Sequence, residues 1–281
     1  RGTDASRAHD RRRCHGPCGG AGLCRCGAFA VVVKDAVATT RLRWRQAWRI
    51  IASRYPPIAL FERVSDNPAV WDVLIELEQA TNPRVRDEAG EIALVPPERR
   101  VSGPNASWVM APFTHINRNG SRFSDGSYGV YYAARSLQTA IKETGYHFAR
   151  FTADSDDPPR REDMRVLLGS VSAMLHDVSK LDEKVKRRIL DPQSYAHSRP
   201  FAANLREEGS DGIVYPSVRD EGGLCIGAFW PDVAGVPVQE RHLQYEWNGA
   251  RFSRWFDYKE ERWVDALNPR PHGSQRGASQ D

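Results

Sequence analysis

The sequence contains no apolar run long enough to cross a bilayer as a helix, which excludes a transmembrane helix. The apolar stretch at residues 28–33 follows basic residues, but Lys34 and Asp35 stop it, and it is too short for a signal-peptide core. Cysteine is scarce, with five in 281 residues; four crowd into positions 14–26 and the fifth, Cys225, falls in a predicted core strand. That usage excludes a disulfide framework spread over a secreted domain and suits a reducing cytoplasm. The glycines at positions 16–22 do not form a dinucleotide fingerprint, and no strand–helix pattern frames them, which excludes a Rossmann site there. No His or Asp stands at recognisable triad spacing from a serine, and no internal repeat is visible.

What is present is ordinary for a globular chain: 40% hydrophobic and 27% charged residues, enough length for one large domain plus tails. The net charge of +4 is unevenly spread. Residues 1–54 carry 12 Lys or Arg against 3 Asp, whereas the remainder carries 28 basic and 33 acidic residues. The basic pI therefore belongs to the N-terminal segment, and a mildly acidic body argues against direct nucleic-acid binding by the domain. Residues 1–38, rich in Arg, Gly and Cys without periodicity, read as a disordered tail, and 268–281 as a polar disordered tail. Within the first tail, Cys14, His15, Cys18, Cys24 and Cys26 are enough ligands for zinc but lack the paired gaps of common fingers, so no metal is assigned.

The working region, residues 39–267, mixes short strands and helices without regular βαβ alternation, which predicts one α+β domain. Residues 43–55 put Trp44, Trp48 and Ile51 on one helical face, predicting a terminal helix. Residues 59–66 and 90–96 read as strands, with a helix begun by Asn67-Pro68 between them. A long strand or strand pair is predicted at 164–178, a charged helix at 181–189 and a helix opening at Ser198-Arg199-Pro200. Two short apolar strands flank Ser217, and Asn248-Gly249 suits a two-residue primed turn between the last strands.

The most informative stretch is 119–147, NGSRFSDGSYGVYYAARSLQTAIKETGYH. A loop with Gly120, Gly126 and Gly129 carries Arg122, a strand over 128–134 carries Tyr132, and a helix capped by Ser136 carries Glu143. A fixed cation, a phenol and a carboxylate thus arrive from three neighbouring local structures. Glu143 and His147, one turn apart, read as a local ion pair.

This run closely resembles the core motif of the RES domain, with Arg122, Tyr132 and Glu143 at its arginine, tyrosine and glutamate and Ser217 at its late serine. Phe123 and Ser124 stand where the commoner family wording has Trp and Asn, and Arg63 resembles an early arginine of many members. The resemblance implies an ADP-ribosyltransferase-like mixed sheet flanked by helices. It also implies a bacterial toxin that consumes NAD as substrate, without a cofactor, and is held inactive by an Xre-like helix-turn-helix antitoxin. Cleaving the nicotinamide–ribose bond develops positive charge on the ribose, which a carboxylate such as Glu143 stabilises. Arg122 suits the pyrophosphate, because a guanidinium forks two oxygens and keeps its charge. Tyr132 would stack on nicotinamide or bond the ribose, while Ser217 and Arg63 would bind and orient substrate. Water, phosphate and protein all stay open as acceptors of the ADP-ribosyl group, and a homodimer is compatible with the sequence. The alternative reading is a nucleic-acid-associated protein that uses the Arg-rich N-terminal region, with the later domain as scaffold.

Overall fold

Among the described residues, the first element is a strand where the sequence predicts a helix. In the computed structural model, which describes residues 37–54, 65, 67–79, 89–155 and 157–266, β1 runs Thr39–Ala52. Its inward residues are Leu42, Trp44, Ala47 and Ile50. The step from Trp44 to Ala47 is a register shift against the partner strand, so an irregular strand acquires spacings that imitate a helical face. Tertiary pairing decides the matter: β1 is antiparallel to β3 (Arg160–Asp177), from Thr39 opposite His176 to Ala52 opposite Met164.

The sheet has eight strands in the order β1-β2-β5-β4-β3-β6-β7-β8, and β1 also pairs with β3. β2 is Tyr131–Ala134, β4 Gly212–Pro216, β5 Leu224–Ala228, β6 Val238–Trp247, β7 Phe252–Asp257 and β8 Arg262–Asp265. The double pairing of β1 closes the first five strands into a ring. Only β3–β4 is a parallel pair, so the sheet is mixed and the fold is α+β. All described residues belong to a unit that begins at Ala36.

The described helices are α1 (Trp71–Gln79), α2 (Ala106–Thr114), α3 (Leu137–Asp154), α4 (Glu183–Ile189) and α5 (Ser198–Glu207). Trp71 and Ile75 from α1, with Val109, Met110 and Phe113 from α2, share one apolar core with Leu42, Trp44, Tyr131, Leu175 and Ile226 of the sheet. α3 packs elsewhere, with Phe148 edge-on to Tyr245 and Phe252 at 5.8 and 6.0 Å. Gly145 lets it approach: a Cβ there would stand 2.4 Å from the Phe252 ring. Ser136 caps α3 by accepting from Thr139 N at 3.1 Å, as its position predicts.

Two further expectations are corrected. Residues 90–96 hold a 3-10 turn at Ile92–Leu94, not a strand, with Gly90 at φ +61°. The β6–β7 turn spans four residues, because Trp247 pairs with Phe252 and the Asn248 side-chain oxygen accepts from Ala250 N and Arg251 N at 3.0 Å each. The side chain closes the turn in place of a tight primed geometry. The strand expected over 59–66 lies, apart from Ser65, outside the described residues, as do Arg63 and Cys14–Cys26.

Candidate active site

Ser217 follows β4 directly, and Glu143 lies on the second turn of α3. The Ser217 hydroxyl donates to Glu143 Oε1 at 2.6 Å, and Val218 N donates to the same oxygen at 3.2 Å. Ser217 Oγ also accepts from Arg219 N and Asp220 N at 3.1 and 3.0 Å, so one hydroxyl shapes the loop and aims the carboxylate. Asp220 ties the loop to α3 a second time, accepting from Thr139 Oγ1 and Lys142 Nζ at 2.6 Å each. Thr139, Lys142 and Glu143 lie on one helical face, spaced i, i+3, i+4. Among the described residues Glu143 Oε2 has no hydrogen-bond partner, which leaves one carboxylate oxygen for a ligand. Glu143 and His147 make no direct ion-pair contact, contrary to the sequence reading, although the carboxylate still raises the imidazole electrostatically.

Arg122 is buried at 9% exposure. Its Nη1 donates to the carbonyl oxygens of Asp191 at 2.9 Å and Ile189 at 3.4 Å, at the end of α4 and just past it, and its guanidinium lies 4.9 Å from the Tyr195 ring centroid. The Nε/Nη2 edge has no protein partner among the described residues. That is the edge that can fork two oxygens side-on.

Tyr132 holds the arginine loop through its hydroxyl. Its hydroxyl accepts from Phe123 N at 3.0 Å and pairs with Ser121 Oγ at 2.8 Å, which holds both residues flanking Arg122. Burial pushes its phenol up to about 12, so it stays protonated and neutral. With its hydroxyl so engaged, Tyr132 positions the arginine loop. Arg199 on α5 holds the same loop from outside, donating to Ser121 O at 3.0 Å and Asn119 O at 2.9 Å.

Glu143 and Arg122 act electrostatically on common neighbours. His147 is made less basic by desolvation, raised by Glu143 and lowered by Arg219 and Arg122, so it senses carboxylate and guanidinium together. Tyr215 is raised by its burial and then by Cys225, Glu143 and Tyr132, with Arg122 opposing. Cys225 is likewise raised by burial and by Glu143, which keeps its thiol protonated and unfit as a nucleophile.

A sequence model of the RES domain matches residues 97–248. The chain is 30% identical over 206 residues to the uncharacterized protein y4oC of Sinorhizobium fredii (strain NBRC 101917 / NGR234), an alignment that covers 73% of this chain and 84% of that protein. This chain belongs to the RES domain family. Among solved structures, the M. tuberculosis MbcT–MbcA toxin–antitoxin complex is similar at a TM-score of 0.37 and 10% identity, covering 75% of this chain and 88% of that one.

In this RES domain, four of the five residues singled out from sequence lie in described structure. Glu143 and Ser217 are in direct contact, and Tyr132 reaches Arg122 through the residues on either side of it. The sequence reading missed Asp220, Arg199 and Arg49. Asp220 carries a signal only once α3 is known, through the helical spacing of Thr139 and Lys142. Arg49, on β1, donates to Tyr132 O at 3.0 Å and lies 4.7 Å from the Tyr131 ring centroid. It was hidden by the helical reading of residues 43–55. No group of three His, Cys, Asp or Glu able to hold a metal occurs among the described residues. No described helix is long and apolar enough to cross a membrane.

Proposed function

We propose that this protein cleaves the nicotinamide–ribose bond of NAD and passes ADP-ribose to water, phosphate or a protein. Its role would be that of the toxin in a toxin–antitoxin pair, restrained by a helix-turn-helix antitoxin. The observation that carries the reading is the hydrogen bond from Ser217 to Glu143, which aims the carboxylate and leaves its second oxygen unpartnered among the described residues, while Arg122 acts on the same neighbours, His147 and Tyr215. Bond cleavage makes the ribose an oxocarbenium-like cation, and Glu143 Oε2 is the group to stabilise it as charge develops. The Arg122 Nε/Nη2 edge suits the pyrophosphate of the same molecule. RES family membership supports the assignment of these roles.

The test is nicotinamide release from NAD, measured together with NAD affinity. Glu143→Gln keeps shape and hydrogen bonding while removing charge, so NAD should still bind and turnover should fall on the order of a hundredfold. Unchanged turnover would remove Glu143 from the chemistry, and a wild type that binds NAD without releasing nicotinamide would refute the reaction itself. Rescue of growth by an adjacent helix-turn-helix reading frame, expressed together with this chain, tests the toxin role.

A further inference from the structure

The side chain of Arg206, in the last turn of α5, makes no hydrogen bond and no ion pair among the described residues. Its guanidinium is held between two ring faces, 4.6 Å from the Tyr128 centroid and 4.2 Å from that of Trp230. Its Nε is buried without a partner, and so is Nε1 of Trp230. Nearby arginines behave otherwise. Arg100 donates to Val95 O, Pro68 O and Asp72, and Arg99 bonds Asp211 and Asp232 at 2.7 Å each while flanking Trp230 at 5.4 Å. Ring faces attract a cation from above and below, and the end of α5 favours positive charge, but neither supplies an acceptor in the guanidinium plane. A part-buried cation with unused donors calls for an anionic partner.

Arg206, Tyr128 and Trp230 border a cavity of about 140 Å³ whose other walls include Leu94, Val95, Phe113 and Phe229. Drug-sized sites measure roughly 300–1,000 Å³, so the occupant must be small. The lining mixes apolar rings with polar groups, Ser127 among them, and it offers a single formal charge, which favours a small organic monoanion over a phosphate. We propose that this cavity is a second ligand site, binding a small organic carboxylate with its oxygens on Arg206 and its body against Phe113 and Phe229. None of Arg122, Tyr132, Glu143 and Ser217 lines this cavity. It still adjoins the arginine loop, because Tyr128 Oη donates to Phe123 O at 2.7 Å and Phe123 N donates to Tyr132 at 3.0 Å.

Calorimetric titration of the full chain with acetate, butanoate and benzoate, and with benzamide as a neutral isostere of benzoate, tests this. At least one carboxylate should saturate a single site per chain, and benzamide should bind about tenfold or more weakly than benzoate, the weight of a charge-assisted hydrogen bond. Arg206→Gln should cost the best carboxylate about tenfold or more while the melting temperature stays close to wild type. Should that variant misfold, Trp230→Phe keeps the ring, removes the Nε1 donor and should weaken binding by a smaller factor. Three results would overturn the proposal: no saturable binding by any of the carboxylates, equal binding of benzamide and benzoate, or competitive displacement of the carboxylate by NAD, which would assign the cavity to the NAD site. None of these bears on nicotinamide release, so this proposal and the proposed reaction fail independently.

Discussion

Ser217 donates its hydroxyl hydrogen to Glu143 across a 74-residue gap in sequence, at 2.6 Å, and takes two backbone N–H groups in return. The two side chains therefore act as one unit, and the serine is an orienting group with its proton already committed. Ser217→Ala should lower turnover of NAD more than NAD affinity, because Glu143 keeps its charge but loses its aim. It should also destabilise the fold by ~1–3 kcal/mol, since Arg219 N and Asp220 N lose their acceptor. Steady-state kinetics beside a thermal melt checks both; unchanged kinetics with a lowered melt would make Ser217 purely a loop residue.

Tyr132→Phe should loosen the loop around Arg122 and raise KM for NAD more than it lowers kcat. The effect on stability is pH-dependent. Burial lifts the folded phenol from 10.0 to about 12, so the folded protein holds this proton more tightly than the unfolded chain does. That contribution is complete below pH 10 and is lost as pH rises toward 12. Wild type should therefore lose melting temperature more steeply than Tyr132→Phe across this window. Identical slopes would show that the other buried tyrosines carry the whole effect.

Gly145→Ala sets helix propensity against space. Alanine favours the helix by about 1 kcal/mol, whereas a Cβ 2.4 Å from the Phe252 ring forces overpacking that costs ~1–3 kcal/mol. A net loss of stability is expected in a denaturant melt. In a Phe252→Leu background the sign should reverse, and a persisting loss there would place the strain in the backbone rather than at the ring.

Two truncations separate the basic N-terminal region into parts with different roles. A chain beginning at Ala38 retains β1 and the hydrogen bond from Asp177 N to Ala38 O at 2.9 Å, so it should fold and match the full chain in a nicotinamide-release assay. Removing residues through Arg54 takes away Leu42, Trp44, Ala47 and Ile50 and unpairs β3 along one side. That chain should be insoluble or unfolded by circular dichroism. Salt-dependent DNA binding lost in the first truncation would favour the nucleic-acid reading of the tail.

The local motifs were legible because their signals are local. Ser136 followed by Leu137, Ala140 and Ile141 announces α3, and the apolar runs on either side of Ser217 announce β4 and β5. The strand 164–178 was visible in outline, though it extends back to Arg160 as a single element. What stayed hidden depends on partners distant in the chain. A bulged strand cannot show its period without β3 beside it, which is why β1 read as a helix. Nothing in the sequence around Tyr132 reveals that its hydroxyl holds the loop on both sides of Arg122. Arg206 carried no sequence signal, since its significance lies in the partners it lacks.

The ring formed by β1, β2, β5, β4 and β3 also imposes an order on synthesis. The first of these strands to leave the ribosome is the one whose partner comes much later: Thr40 bonds Asp177, 137 residues further on. Because β4 and β5 complete the circuit, the chain must be made through Ala228 before the ring can close. Contacts this distant in sequence form slowly and only after most of the chain exists. Glu143 is made well before Ser217, so the carboxylate has no orienting partner on any shorter nascent chain. The Glu143–Ser217 arrangement therefore forms late in synthesis, after most of the chain exists.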